Sequence, residues 1–116
     1  NPVVCAGANV VVDRMDQSFL ANVSERAVQL RAGLAKLPMV KNLSGIGLMV
    51  GIEFFDVQAA DVLAACREKG LLVLTAKTRL RLLPPLTVSE HEVDMALDVL
   101  ADVLGAMEPT ASKEQV

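Results

Sequence analysis

The stretch RLRLLPP, residues 79–85, determines how the rest of this chain can fold. Side chains alternate across a β-strand, so Leu80 and Leu82 share one face of the predicted strand. Arg79 and Arg81 share the opposite face. The two prolines that follow cannot donate ladder hydrogen bonds, and they therefore end the strand. The leucines are predicted to face a hydrophobic core, and the arginines are predicted to face away from it.

Two interpretations of the outward arginines are open at this level. They can be charges on a solvated edge strand, where they discourage aggregation between sheets. Alternatively, they line a cleft that another part of a larger assembly closes, since strand ends beside loops are frequent positions for binding groups. Arg81 is the nearer of the two to the strand end. The rest of the chain has to decide between these interpretations.

Composition restricts the classes of protein to which the chain can belong. Its 116 residues are 53% hydrophobic, which is enough for the core of one small domain and too apolar for a disordered chain. Aromatic residues make up 3% and the net charge is −3, so a stacking platform or a basic stripe for nucleic acid is not expected. The apolar stretches are shorter than a membrane span and lack the pattern of a signal peptide. We therefore predict no nucleic-acid partner, no membrane partner and a cytoplasmic location.

Several residues of types that often form sites are predicted to be structural here. Cys5 and Cys66 lie far apart, without a CxxC pattern or a nearby His pair, so we expect buried thiols rather than metal ligands or a disulfide. The GxGxxxG pattern at residues 45–51 leads into a strand, which does not fit a dinucleotide site. His91 is expected to be an exposed residue in the first turn of a helix. No metal site is predicted.

An amphipathic helix is predicted between Asp16, its N-cap, and Pro38, which ends it. The apolar residues recur at helical spacing and are Phe19, Val23, Ala27, Leu30, Leu34 and Leu37. The charged residues off this stripe are predicted to form a solvated face, namely Glu25, Arg26, Arg31 and Lys36.

Further along the chain the period changes to that of strands. A short strand, a glycine bend and a strand over residues 48–54 precede a helix that Asp56 is predicted to cap and Gly70 to end. A strand in LLVLTAK forms a hairpin with the RLRLL strand. Ser89 and Glu92 make an S-x-x-E capping box that begins the last helix. The apolar stripe of that helix is Val93, Ala96, Leu97, Leu100, Leu104 and Met107.

Together these elements predict an α/β (α+β) fold, a small and mostly antiparallel sheet of three to four strands with helices on one face. Residues 16–107 form the predicted domain. Residues 1–15 are almost wholly apolar and are predicted to be a buried helix that connects to a larger domain outside the chain. Residues 108–116 have no periodicity and are predicted to be a frayed tail. The opening Asn-Pro without an initiator Met predicts a piece of a longer protein.

Three segments carry a resemblance to a known family: NPVVCAGANVVVD at residues 1–13, SGIGLMVGIEF at 44–54 and EKGLLVLTAKTRLRLLPPLTVSEHEVDMALDVL at 68–100. They resemble the C-terminal part of class III, ornithine-type aminotransferases, and the most specific element is R-x-x-P-P-L at residues 81–86. The resemblance implies the C-terminal small domain of a fold type I enzyme. It also implies the cofactor pyridoxal 5′-phosphate and a homodimer.

The resemblance further implies an activity and one site residue. The activity is transfer of the δ-amino group of N-acetylornithine to 2-oxoglutarate in arginine biosynthesis. Succinylornithine, succinyl-diaminopimelate, ornithine and 4-aminobutyrate stay open as amino donors. Arg81 matches the arginine that binds the substrate α-carboxylate in this family, and a planar guanidinium suits two parallel bonds to a carboxylate. Arg79 does not match the motif and is interpreted as a surface charge that helps to steer anions.

By the same resemblance, the cofactor-linking lysine, the acid that pairs with the pyridine nitrogen and the Gly-Thr that meets the cofactor phosphate lie before Asn1. No catalytic and no cofactor-binding residue is therefore predicted in this chain, and the chain alone is predicted to be inactive. Two functions of other kinds remain open. One is a free-standing regulatory module that binds a small molecule, and the other is a dimerisation element built on the apolar first segment.

Overall fold

The computed structural model describes residues 17–107 of the chain. In chain order, the elements of this range are helix α1 (Gln17–Ala35), strands β1 (Val40–Ser44) and β2 (Val50–Phe54), helix α2 (Ala59–Glu68), strands β3 (Leu74–Ala76) and β4 (Arg79–Leu82), and helix α3 (Glu90–Ala106). The helix predicted over residues 1–15 and the frayed tail predicted over residues 108–116 lie outside the described residues, as do Asp16 and Cys5.

The four strands form one antiparallel sheet in the order β1-β2-β4-β3. Strand β4 pairs with both β2 and β3, and its register with β2 places Leu80 opposite Ile52 and Leu82 opposite Val50. All four of these side chains are buried. Helix α1 contacts β1 and α3, and α2 contacts β3, β4 and α3, so the helices cover this apolar face. The predicted fold class, a small antiparallel sheet with helices on one face, is confirmed.

Helix α1 buries the apolar stripe that its sequence predicts, with Ala27, Leu30 and Leu34 in the core. Its charged residues, however, do not all form a solvated face, and this prediction was wrong for two of them. The side chain of Arg26 is only 13% exposed and lies near carboxylates of Glu25 and Glu90, at 3.3 and 3.4 Å. The reason is that α3 packs alongside α1 and covers residues next to the stripe.

Arg31 is the second departure from the predicted solvated face. Its Nε donates a hydrogen bond to the carbonyl oxygen of Gly47, and its Nη2 donates to that of Met49, both at 3.1 Å. These bonds tie the loop between β1 and β2 to helix α1. A Cβ on Gly45, at φ 94°, would overlap the Met49 carbonyl oxygen, so this tight loop needs a glycine there.

The sequence predicted the C-terminal end of α2 correctly and its N-cap incorrectly. Asp56 is not its N-cap: Gln58 holds that position without a side-chain bond, and Asp56 lies two residues earlier in a left-handed turn at φ 61°. An aspartate tolerates this conformation better than most residues, so Asp56 can occupy the turn that follows β2. At the other end, Gly70 at φ 85° closes the helix as predicted. The amides of Gly70 and Leu71 bond the carbonyls of Arg67 and Cys66, which is a Schellman motif.

Helix α3 begins at the capping box that its sequence predicts. The amide of Glu92 donates to Ser89 Oγ at 3.1 Å, and the amide of Ser89 donates to Glu92 Oε1 at 3.0 Å. Hydrogen bonding of the Glu92 carboxyl to Ser89, by the Ser89 backbone first and then by its side chain, lowers the pKa of that carboxyl from its ordinary value. His91 is exposed in the first turn, as predicted. The helix also buries Val103, which the predicted stripe omits.

Candidate carboxylate-binding site

The face of the sheet that the helices leave uncovered carries a shallow hollow of about 530 Å³, here called the open-face hollow. Its walls are formed by Ser44 and Gly45 at the end of β1, by Gly51 and Glu53 of β2, by the turn between β3 and β4, and by Arg79 and Arg81 of β4. The alternation predicted for RLRLL is confirmed, since Leu80 and Leu82 are buried while Arg79 and Arg81 are exposed.

Gly51 forms the floor of the hollow beside Arg81, its partner in the β2–β4 register. A Cβ added to Gly51 would lie 2.6 Å from Ser44 Oγ and 3.9 Å from Arg79 Cδ. Any larger residue at this position would therefore crowd Ser44 and approach the side chain of Arg79. The glycine keeps this part of the sheet surface open, which is a common use of glycine within a strand.

Arg79 is held by two neighbouring strands. Its Nη2 and Nε donate to Glu53 Oε1 at 3.1 and 3.3 Å, and its Nη1 donates to Ser44 Oγ at 3.3 Å. Ser44 Oγ in turn donates to the carbonyl oxygen of Gly51 at 3.4 Å. This cross-strand network neutralises Arg79 and fixes its side chain along the sheet.

Arg81 is in the opposite situation. It is exposed, and within residues 17–107 its guanidinium makes no hydrogen bond and no ion pair. Five N–H donors in a rigid planar fork are thus directed by the strand toward the open side of the sheet. A carboxylate is the chemical group that matches this fork with two parallel hydrogen bonds.

The charged residues of the hollow favour an anion. Lys77, Arg79 and Arg81 contribute three positive charges and Glu53 contributes one negative charge, so the formal charge of the lining is +2 on a chain whose net charge is −3. Lys77 lies in the two-residue turn between β3 and β4 at φ 58°, an unusual conformation for a residue with a side chain. A lining of this formal charge favours anions over cations.

Glu53 and Ser44 are residues of this site that the sequence did not single out. The alternation in VGIEF places Glu53 on the same face as Gly51, so the sequence indicates on which face of the sheet Glu53 lies. Which residue of β2 lies beside which residue of β4 depends on strand order and register, and neither can be read from a single strand.

Other chemically reactive groups do not add to the site. Burial raises the pKa of the Cys66 thiol, which agrees with the predicted buried thiol. Among residues 17–107, no three His, Cys, Asp or Glu side chains come together as metal ligands would. None of the helices in the same part of the chain combines the length and the apolar composition needed to cross a membrane.

Comparison with known proteins identifies the class of protein to which this fold and hollow belong. A family model described as aminotransferase class-III matches residues 1–104. The chain therefore belongs to the class III aminotransferase family, as the three segments predict.

Individual relatives within the family share one name. An acetylornithine aminotransferase from Haemophilus ducreyi is 45% identical over 108 residues, which cover 92% of this chain and 28% of that protein. A mitochondrial acetylornithine aminotransferase from Eremothecium gossypii is 38% identical over 111 residues, which cover 90% of this chain and 26% of that protein. The chain thus spans little more than a quarter of the length of these curated relatives.

Solved structures agree with the fold. The crystal structure of N-acetylornithine aminotransferase from Stenotrophomonas maltophilia superposes with a TM-score of 0.82 at 31% identity, over 91% of this chain and 32% of that one. An adenosylmethionine-8-amino-7-oxononanoate aminotransferase from Methanocaldococcus jannaschii superposes with a TM-score of 0.68 at 21% identity, over 79% of this chain and 24% of that one. The second similarity concerns the fold alone.

The cofactor that the family implies, pyridoxal phosphate, does not fit the described residues as a complete site. A phosphate cradle uses backbone amides at a helix N-terminus, whereas strands and turns line the open-face hollow. The one lysine of the hollow, Lys77, lies in a hairpin turn at its rim.

Proposed function

We propose that this chain is the C-terminal small domain of a pyridoxal-phosphate-dependent aminotransferase, in which Arg81 binds the substrate α-carboxylate. The enzyme transfers the δ-amino group of N-acetylornithine to 2-oxoglutarate, a reaction of arginine biosynthesis, and works as a homodimer. The names of the relatives from Haemophilus and Eremothecium support N-acetylornithine as the amino donor. The family supports the cofactor. The predicted cytoplasmic location stays a prediction.

The observation that carries the proposal is that the Arg81 guanidinium is exposed and unpaired within residues 17–107. A guanidinium that has no partner among residues 17–107, beside a glycine floor and in a hollow of formal charge +2, is ready to receive a carboxylate. The alternative of a solvated edge strand does not apply, because β4 pairs with both β2 and β3. Binding one end of the substrate would orient the other end toward the reacting atoms of the cofactor.

An amino-donor panel tests the assignment of the substrate. The complete enzyme is assayed with N-acetylornithine, succinylornithine, succinyl-diaminopimelate, ornithine and 4-aminobutyrate, each with 2-oxoglutarate as acceptor. We expect N-acetylornithine to give the highest kcat/KM. A higher kcat/KM for 4-aminobutyrate would assign the enzyme to another branch of the family, because that compound lacks the acylated α-amino group of N-acetylornithine.

The 116-residue chain by itself is predicted to be inactive, because the cofactor-linking lysine and the phosphate cradle are expected in the part of the enzyme that precedes it. Mixing the purified chain with pyridoxal phosphate should produce no stoichiometric change in the cofactor absorbance. It should also produce no glutamate from N-acetylornithine and 2-oxoglutarate. Turnover above that of a heat-denatured sample would contradict this prediction.

A further inference from the structure

A row of polar side chains on α1 faces the start of α3, and it consists of Asn22, Arg26 and Gln29, here called the polar row. Residues three and four positions apart lie on one side of a helix. Asn22 Nδ2 donates to the carbonyl oxygen of Val88 at 3.4 Å. Gln29 Nε2 donates to the carbonyl oxygen of Glu90 at 3.0 Å and to Asp94 Oδ1 at 2.8 Å. The polar row thus contacts the first turns of α3 and the residues just before that helix.

The polar row is not the most stable way to fill the contact between these helices. Arg26 Nε and Gln29 Oε1 are buried and have no hydrogen-bond partner within residues 17–107. Arg26 Nη1 lies 3.4 Å from a carboxylate oxygen of Glu90. Buried polar atoms without partners cost free energy, and apolar side chains of similar volume often replace such groups without a loss of stability. The row therefore indicates a contribution other than stability.

A short and stiff segment, residues 83–89, connects strand β4 to the start of α3 and is here called the link. Pro84 and Pro85 have a fixed φ, and the amide of Val88 donates to the carbonyl oxygen of Pro85 at 3.0 Å. Because the link bends little, a displacement of its end at α3 is passed on to its other end, where Arg81 is the last residue but one of β4. Holding the start of α3 therefore also holds the end of β4.

We propose that Gln29 is a positioning residue, which holds the start of α3, fixes the link and thereby fixes the place of Arg81 on the open face of the sheet. Gln29 makes the two shortest hydrogen bonds of the polar row and is not part of the wall of the open-face hollow. A binding group that is held in place before its ligand arrives loses less conformational entropy on binding. This inference rests on the proposed function, because it takes Arg81 as the carboxylate-binding residue.

The test is Gln29→Leu in the complete enzyme, which removes both hydrogen bonds at nearly constant side-chain volume. Glu90 and Asp94 are exposed, so water replaces the lost amide, and leucine removes a buried unpaired oxygen. We therefore expect the melting temperature to stay within about 2 °C of the parent. KM for N-acetylornithine and for 2-oxoglutarate should rise by about three- to tenfold. The value of kcat should stay within about twofold, as for a loss of ground-state binding.

A second measurement distinguishes positioning from a purely structural role. If Gln29 acts through Arg81, Gln29→Leu should change kcat/KM by less than about twofold in an enzyme that already carries Arg81→Ala. Asp94→Ala removes one acceptor of Gln29 and should raise KM in the same sense, whereas Asp94→Asn keeps an accepting oxygen and should retain the parent KM within about twofold. Gln17→Leu, the same change at the exposed first residue of α1, is the matched control and should alter none of these quantities.

Three results would overturn the proposal: an unchanged KM in Gln29→Leu, an equal loss of kcat/KM with and without Arg81, or a melting temperature lowered by more than about 5 °C. The third result would show that stability alone explains the polar row. Arg81→Ala by itself separates this proposal from the function on which it rests. If Arg81→Ala keeps the parent kcat/KM, the carboxylate-binding role is wrong. If it loses activity while Gln29→Leu keeps the parent KM, only the role of Gln29 is wrong.

Discussion

Leu80 and Arg81 are neighbours on β4 and lie on opposite faces of the sheet. Leu80 is 0% exposed and belongs to the buried core, which contains residues of all three helices and of the sheet. Arg81 faces the open-face hollow and has no partner among residues 17–107. The covered face satisfies its side chains within the domain, whereas the open face leaves a strong donor unsatisfied. Core packing and the proposed carboxylate binding thus belong to alternate residues of the same strand.

Arg81→Ala should have the largest effect, and it should fall on catalysis alone. Hydrogen bonds to a charged group contribute about 1.5–3 kcal/mol each, so losing two corresponds to a loss of about a hundredfold to ten-thousandfold in kcat/KM. Both N-acetylornithine and 2-oxoglutarate should be affected, as measured by steady-state kinetics of the complete enzyme. Arg81→Lys should restore only part of the activity, because an ammonium group lacks the planar fork.

Unchanged cofactor absorbance and an unchanged melting temperature are the controls for Arg81→Ala. The role of Arg81 would be refuted if kcat/KM stayed within about threefold of the parent for both substrates. In that case the arginines of β4 would be charges on the solvated face of the sheet, where β4 is an interior strand.

Leu80→Ala tests the covered face at the adjacent position. Removing a fully buried leucine side chain leaves a cavity, and we expect it to lower the free energy of unfolding by about 2–5 kcal/mol. Denaturant unfolding of the complete enzyme measures this change. Leu72→Ala is the matched control, since Leu72 is 83% exposed, and it should stay within about 0.5 kcal/mol of the parent. Equal effects of the two substitutions would mean that the helices do not cover this face.

Arg79→Ala should have a smaller effect than Arg81→Ala although both residues lie on the open face. Because Glu53 and Ser44 already occupy Arg79, we expect kcat/KM to fall by less than about tenfold, as for a charge at the rim of a site. Steady-state kinetics of both half-reactions provides the measurement. If Arg79→Ala were the more damaging of the two, the carboxylate-binding role would move from Arg81 to Arg79.

Ser89→Ala should have the smallest effect, and this effect should be a change in how the melting temperature depends on pH. The capping box lowers the pKa of Glu92 in the folded state, so its stabilisation is present above the ordinary pKa of a glutamate and is lost as pH falls through the lowered value. Without the Ser89 hydroxyl, the pKa of Glu92 should rise toward its ordinary value. Melting temperatures between about pH 5 and pH 3 should therefore depend less on pH in the variant. Ser24→Ala, an exposed serine of α1, should keep the pH dependence of the parent.

Local signals in the sequence predicted much of this domain. The capping box at Ser89, the glycine stop at Gly70 and the alternation around Leu80 each depend on residues close together in the chain, and each is confirmed. Asp56 shows the limit of such signals. Aspartate is favoured both at an N-cap and in a left-handed turn, and Asp56 occupies a left-handed turn.

The sequence by itself determined which residues of each element face inward, because periods of two and 3.6 are properties of the chain. It also marked Arg81, through the strand end and the family motif that follows it. Only the tertiary structure decided that Glu53 lies beside Arg79 and Gly51 beside Arg81, and that Arg26 is covered by α3. Those pairs are set by strand order, register and helix packing. They depend on contacts between segments far apart in the chain, which no local pattern encodes.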